Sequence, residues 1–413
     1  MTRSWSARAS HALLVGLLAG GLLACGGGGG DDAGGPSTTG GTGEGDSNTE
    51  PKKVVALAMV GALTGENANL GINVQNGAQL AIEEADKAGE LEVEVVVKPF
   101  DTQGDPAQAQ TVKDQVVADE EVVGVIGPVF SGESKAANPT FEEAGLALIT
   151  PSATNPDLAK QGWKVFHRLL ANDDVQGSEA AKYLAQGLDA KNVAIVHDNT
   201  DYGKGIAEVV RRTLTELTVK VDLFEAIDPK ATDYSAAVNK VRARKSPVVF
   251  YGGYYPQAGR LVKQLRDKQV TATFVSGDGS KDPGLLESSG PEAAEGMLIT
   301  CPCADATVAT DQPSKDFAEA YTKRFKQAPG TYSGEAYDTA KIFLEAIRAD
   351  NTTRESILEF LSTELGTYRG ITKEVTFQPD GEVTASAVYV YAFEAGALVI
   401  KGTTTELSST EPE

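Results

Sequence analysis

An apolar run halted by Gly-Pro, then a helix-length stretch, then a second apolar run leaves few folds open to a chain. Residues 122–156 are built this way. Val122–Ile126 breaks at Gly127-Pro128, Ser131-Gly132 opens a helical stretch through Glu143, and Leu146–Thr150 ends in Pro151-Ser152-Ala153-Thr154. Strand, helix and strand in that order make the right-handed crossover of a parallel sheet. Both strands then end at one sheet edge, where ligands of open α/β sheets bind. Small hydroxyl residues stand at both ends: Ser131 at one, Ser152 and Thr154 at the other. A helix beginning at Ser131 would aim free N–H groups and its positive dipole end at that crevice, which suits a small anion such as a carboxylate. Taken singly, each end has a plainer reading, as a serine N-cap or an ordinary αβ turn.

The same alternation extends on both sides. Val54–Val60 reads as a buried strand, followed by a helix from about Ile72 to Lys87, a strand over Leu91–Lys98 and a helix from Asp105-Pro106 to about Ala118. Lys164–Leu169 is another short strand. After Asp173-Asp174 the pattern restarts with helix Gln176–Leu184 and strand Asn192–His197, and it continues to strands Thr271–Ser276 and Gly296–Thr300. Two runs of alternation predict an α/β protein of two doubly wound parallel-sheet lobes. Helices at Pro313–Lys326, Ser333–Ala349 and Thr353–Leu365 have no strands of their own, so they should cover a sheet made earlier. Strand-like stretches follow at Ile371–Phe377, Thr384–Tyr391 and Leu398–Lys401. Crossings near Asp173, Cys301 and Pro379-Asp380-Gly381 would form a three-stranded hinge. They divide the body into lobe 1 (54–172 plus 303–377) and lobe 2 (173–302 plus 378–402), with 403–413 as a frayed polar tail.

The N-terminus is of another kind. Arg3 and Arg8 precede a short apolar segment, Ala12–Leu23, that ends in Leu22-Leu23-Ala24-Cys25, the pattern of a secretory signal over residues 1–25. The last four residues resemble a bacterial lipobox, which would make Cys25 the acylated first residue of the mature chain; a simple secreted protein is the plainer alternative. Residues 26–53 are Gly-rich and too poor in apolar side chains to fold, and they read as a tether. Elsewhere no apolar run approaches the roughly 20 residues that span a bilayer, so the expected membrane contact is through the N-terminal lipid only. A net charge of −21 argues against nucleic acid. His11, His167 and His197 lie far apart, and Cys25, Cys301 and Cys303 are the only cysteines, so neither a metal site nor a cofactor is expected. A bridge across the single residue of Cys301-Pro302-Cys303 is awkward, though a secreted compartment would permit one, and free thiols are the favoured reading there.

Four segments in order resemble the type I periplasmic substrate-binding proteins of branched-chain amino acid ABC importers, the leucine/isoleucine/valine group. They are Val60-Gly61-Ala62-Leu63-Thr64-Gly65; Ile149 to Thr154; Ala194-Ile195-Val196-His197-Asp198 with Tyr202-Gly203; and Tyr251-Gly252-Gly253-Tyr254. The resemblance covers about Val54 to Lys401. It implies a monomer that closes on an amino acid and hands it to ABC permease subunits. It also implies that Ser131, Ser152 and Thr154, with Phe130 and Ala153 nearby, receive the ligand's charged groups on lobe 1. Tyr202 and Tyr254 would close from lobe 2, Asp278 would pair the ammonium, and Tyr332 would line the side-chain pocket. Two positions depart from the pattern: Asp278 stands where glutamate is common, and Leu70 where a tyrosine often stands.

On their own residues these positions allow plainer readings. Phe250–Tyr255 is also a core strand end, Tyr202-Gly203 a helix start and Asp278 between glycines a turn residue. An enzyme is disfavoured, because the chain has no nucleophile elbow, no H-E-x-x-H and no P-loop. A sensory receptor lobe of the same fold, or an importer for an amide, urea, aromatic acid or short peptide, remains open to the sequence.

Overall fold

The computed structural model describes residues 52–384 and 387–409. The signal, Cys25 and nearly all of the tether lie outside them, as do residues 410–413 of the tail. The chain begins with β1 (Val54–Gly61), α1 (Ala68–Ala88), β2 (Glu94–Asp101), α2 (Pro106–Ala118), β3 (Val122–Ile126), α3 (Ser131–Glu143), β4 (Leu148–Thr150) and β5 (Phe166–Arg168). These strands form one parallel sheet in the order β2-β1-β3-β4-β5. β1 and β3 are apolar and almost wholly buried because helices cover both faces of a parallel sheet. Asp105 caps α2 by accepting from Ala107 N at 2.9 Å, with Pro106 at the first helical position. β2 starts three residues later than its apolar run suggests, because Glu94, not Leu91, pairs with Val54.

The second sheet draws on α4 (Asp173–Lys182), β6 (Asn192–His197), α5 (Asp201–Glu216), β7 (Lys220–Ala226), α6 (Ser235–Arg244), β8 (Val248–Gly252), α7 (Tyr255–Asp267), β9 (Thr273–Ser276), the short helices α8 (Leu285–Ser289) and α9 (Pro291–Ala294), and β10 (Leu298–Cys301). The chain then supplies α10 (Gln312–Phe325), α11 (Ser333–Arg348), α12 (Arg354–Thr363), the two-residue strands β11 (Tyr368–Arg369) and β12 (Glu374–Val375), β13 (Tyr389–Glu394), β14 (Ala397–Thr403) and α13 (Thr404–Ser409). The sheet order is β14-β13-β10-β9-β8-β6-β7, parallel from β7 to β10, with β13 and β14 added antiparallel. α10 and α11 pack on α1, and α12 packs on β3, so the strandless helices do cover the first sheet. Three segments run between the sheets: β5 to α4, β10 to α10 and β12 to β13. The third is tied back to the first where Arg168 N donates to Gly381 O at 2.9 Å.

Three expectations are corrected. Cys301 and Cys303 are joined in a disulfide, both fully buried, rather than carrying free thiols. The end of β10 bends into the second crossing there and brings the two side chains together. Of Ile371–Phe377 only Glu374–Val375 is strand, paired with β11 rather than with either main sheet: Asp338 of α11 takes Ile371 N and Thr372 N, each at 2.9 Å, and this holds the start of the segment against the helix. The tail does not fray at Thr403. Thr403 and Glu406 bond reciprocally (Glu406 N to Thr403 Oγ1 at 3.2 Å, Thr403 N to Glu406 Oε2 at 2.9 Å), a capping box that starts α13.

Candidate functional site

In each sheet the strand order reverses once, between β1 and β3 in lobe 1 and between β6 and β8 in lobe 2. The loops beyond those strand ends face each other across the gap. They close around a small cavity of about 10 Å³, to which lobe 1 contributes Val129, Phe130, Ser131, Ser152 and Tyr332, and lobe 2 contributes Tyr202, Tyr254 and Asp278. The sequence-derived set is thus brought together except for Ala153 and Thr154, which are buried but do not line the cavity.

Lobe 1 presents donors. Ser131 is the first residue of α3, not its cap, so the helix's opening N–H groups have no acceptor within the helix. Its hydroxyl oxygen accepts from Asn155 N at 3.2 Å, leaving the hydroxyl proton for another acceptor. Ser152 Oγ donates to Val129 O at 2.7 Å and holds the β3–α3 loop in place. Beneath that loop Glu133 accepts from Phe130 N at 3.2 Å and from the Thr102 hydroxyl. Burial raises the Glu133 carboxyl to about 8, so it is protonated at neutral pH.

Lobe 2 presents a carboxylate held by hydroxyls. Asp278 Oδ1 accepts from Tyr202 OH at 2.6 Å and from Gln176 Nε2 at 3.0 Å, and Oδ2 accepts from Tyr332 OH at 2.7 Å. Tyr332, from lobe 1, lines the cavity, and its phenol also bonds to the opposite lobe. Its backbone adopts φ 71°, a left-handed conformation uncommon for a tyrosine, which turns the ring toward the gap. Tyr202 and Tyr254 pack at 5.1 Å between ring centroids, and Phe130 meets Tyr254 edge-on at 5.1 Å, so aromatic rings wall the cavity from both lobes. Burial and the nearby Asp278 keep the phenols of Tyr202 and Tyr332 protonated far above their usual range.

Sequence reasoning missed Asp173. It was passed over as the place where the pattern restarts, whereas Asn172 caps α4 through Val175 N and puts Asp173 in the first turn. Asp173 is fully buried, and neither carboxylate oxygen has a partner in good hydrogen-bond geometry, although the Thr154 hydroxyl lies near enough to favour its charged form; Gln176 Oε1 is also without a partner. Burial and the charge of Asp278 push its carboxyl well up. Burial likewise raises Asp278, against the hydrogen bonds from Tyr202, Tyr332 and Gln176. The one available signal was the Asn-Asp-Asp sequence read as a helix cap. Unpaired buried acceptors are costly, and a cation with several N–H donors offsets that cost. Amide and hydroxyl donors on one side, paired carboxylates on the other and aromatic walls between suit a small zwitterion with an apolar side chain. Among the described residues no group of three His, Cys, Asp or Glu side chains could hold a metal ion.

A family model described as "Periplasmic binding protein" matches residues 54–397. The chain belongs to this family. Its members are binding proteins, not enzymes, and the extracytoplasmic compartment of the family permits the disulfide observed here. The chain is 33% identical over 349 residues to the Leu/Ile/Val-binding protein BraC3 of Rhizobium johnstonii, covering 84% of this chain and 93% of that protein. It is 30% identical over 347 residues to a leucine-, isoleucine-, valine-, threonine- and alanine-binding protein of Pseudomonas aeruginosa, covering 83% and 91%. Among solved structures, the branched-chain amino acid transporter substrate-binding protein LivJ of Streptococcus pneumoniae, in complex with isoleucine, superposes with a TM-score of 0.78. It shares 27% identity, over 85% of this chain and 99% of that one.

Proposed function

We propose that this periplasmic binding protein captures a branched-chain or related aliphatic α-amino acid and delivers it, as a lipid-anchored monomer, to the permease of an ABC importer. The observation that carries the reading is the buried Asp278, with Asp173 buried near it, facing amide and hydroxyl donors across an aromatic-walled cavity between two lobes. In this reading the carboxylate docks on the opening turn of α3 and on Ser131 and Ser152. The ammonium is taken by Asp278, Asp173 and Thr154, with Ala153 behind them. Phe130, Tyr202, Tyr254 and Tyr332 enclose the side chain.

The ligand then contacts both lobes only in the closed form, so binding favours closure. Charge-assisted hydrogen bonds contribute about 1.5–3 kcal/mol each. Three or four of them reach the roughly 8 kcal/mol of micromolar affinity. One methylene discriminates by only about 1–3 kcal/mol. Graded binding of leucine, isoleucine and valine is therefore expected, as the names of the relatives also suggest. Calorimetry with these three amino acids tests the reading: the wild type binds at least one at micromolar or tighter Kd, and Asp278→Ala abolishes the heat while keeping the wild-type circular dichroism spectrum. Unchanged affinity in that variant removes Asp278 from the site.

A further inference from the structure

The cavity accounts for what holds a ligand, but other residues hold the lobes against each other. Glu66 lies in the loop between β1 and α1 on lobe 1 and does not line the cavity. Its carboxylate receives Arg260 Nη1 at 3.1 Å on Oε1 and Nη2 at 2.9 Å on Oε2. Gln257 Nε2 donates to the same Oε2 at 3.2 Å, and the backbone carbonyl of Glu66 accepts from Tyr255 OH at 2.6 Å. All these donors stand on the first two turns of α7, the helix directly after Tyr254.

We propose that Glu66 is the clasp of the closed form, a positioning residue that sets how long the ligand stays bound without touching it. The proposal rests on the reading that the lobes close around an amino acid. A lone exposed ion pair contributes little. This one is a two-bond fork, and the Arg260 side chain is only 19% exposed. Another charged contact between the lobes, Lys135 with Asp201 at 2.7 Å, is a single bond from a lysine side chain that is 68% exposed. Asn69 to Asp282, at 2.9 Å, is likewise a single bond. The Glu66 bonds join lobe 1 to lobe 2, so they form only when the lobes meet. Their loss leaves the open form and its encounter with ligand unchanged. It destabilises the closed form, and α7 then swings Tyr254 off the cavity more readily.

Stopped-flow fluorescence on the full-length chain with leucine reads this directly. Glu66→Gln is expected to speed dissociation about 5- to 20-fold and to leave association within about twofold and the ligand-free Tm unchanged. The reciprocal variant Glu66→Arg with Arg260→Glu is expected to return dissociation to within about threefold of wild type, which no merely structural role predicts. Unchanged dissociation in Glu66→Gln, or a double variant as fast as its singles combined, overturns the clasp. If the wild type binds no amino acid, the binding reading falls and the clasp with it, whereas wild-type binding with unchanged dissociation in Glu66→Gln overturns the clasp alone.

Discussion

Asp278 has a short side chain, and Tyr202 and Tyr332 reach it by donating to its two oxygens at 2.6 and 2.7 Å. With those oxygens already engaged, the Asp173 oxygens, which lack a partner in good hydrogen-bond geometry, become the stronger call on an ammonium. Asp173→Asn keeps the shape and removes the charge, and calorimetry is expected to show at least a tenfold loss of leucine affinity with no loss of ligand-free Tm, since a buried unpaired charge is costly. A loss below twofold would put the ammonium elsewhere.

Glu133 tests the donor side through pH. Its folded carboxyl titrates at about 8 against 4.5 when exposed, so the folded state holds a proton that the unfolded state has released within that window. The Glu133 contribution to stability is therefore greatest below pH 4.5 and falls as pH rises to about 8, by on the order of 4 kcal/mol. Urea denaturation at pH 5 and pH 8.5 is expected to show that fall in wild type and a much flatter profile in Glu133→Gln.

At the scale of elements, the contact that aims Tyr332 is the packing of α1 on α11. Gly77 of α1 lies so close to α11 that an added Cβ would sit 2.1 Å from Ser333 O, next to Tyr332. Gly77→Ala must push the two helices apart. The expected cost is roughly 1–3 kcal/mol in urea denaturation, as in other overpacked contacts. Amino acid affinity should fall with it as the Tyr332–Asp278 bond lengthens; a variant with wild-type stability and affinity would show that the contact yields freely. Elements with strong periodicity were legible within a few residues: α3 opens at Ser131 as read, and β6 spans Asn192–His197 as read. The failures came where side chains competed with local pattern. Asn172 started α4 three residues early, Asp338 kept Ile371 from the sheet, and Glu406 turned a polar tail into a helix.

Over the whole molecule, the reading proposed here makes function depend on two lobes closing and on a body tethered near its permease. Cys25→Ser is expected to move the protein from the membrane fraction to the soluble fraction of fractionated cells; persistent sedimentation would refute the lipid anchor. The sequence by itself determined the two alternating β/α runs and the placing of Ser131, Ser152, Tyr202, Tyr254 and Asp278 at strand ends, because apolar runs and their breakers act over a few residues. Only the tertiary structure decided that Asp278 meets Tyr332 and Gln176, partners 54 and 102 residues away, and that Asp173 is buried near them without a partner in good hydrogen-bond geometry. Those meetings depend on how three crossings lay one sheet edge against the other, and on burial that exists only once both lobes are packed.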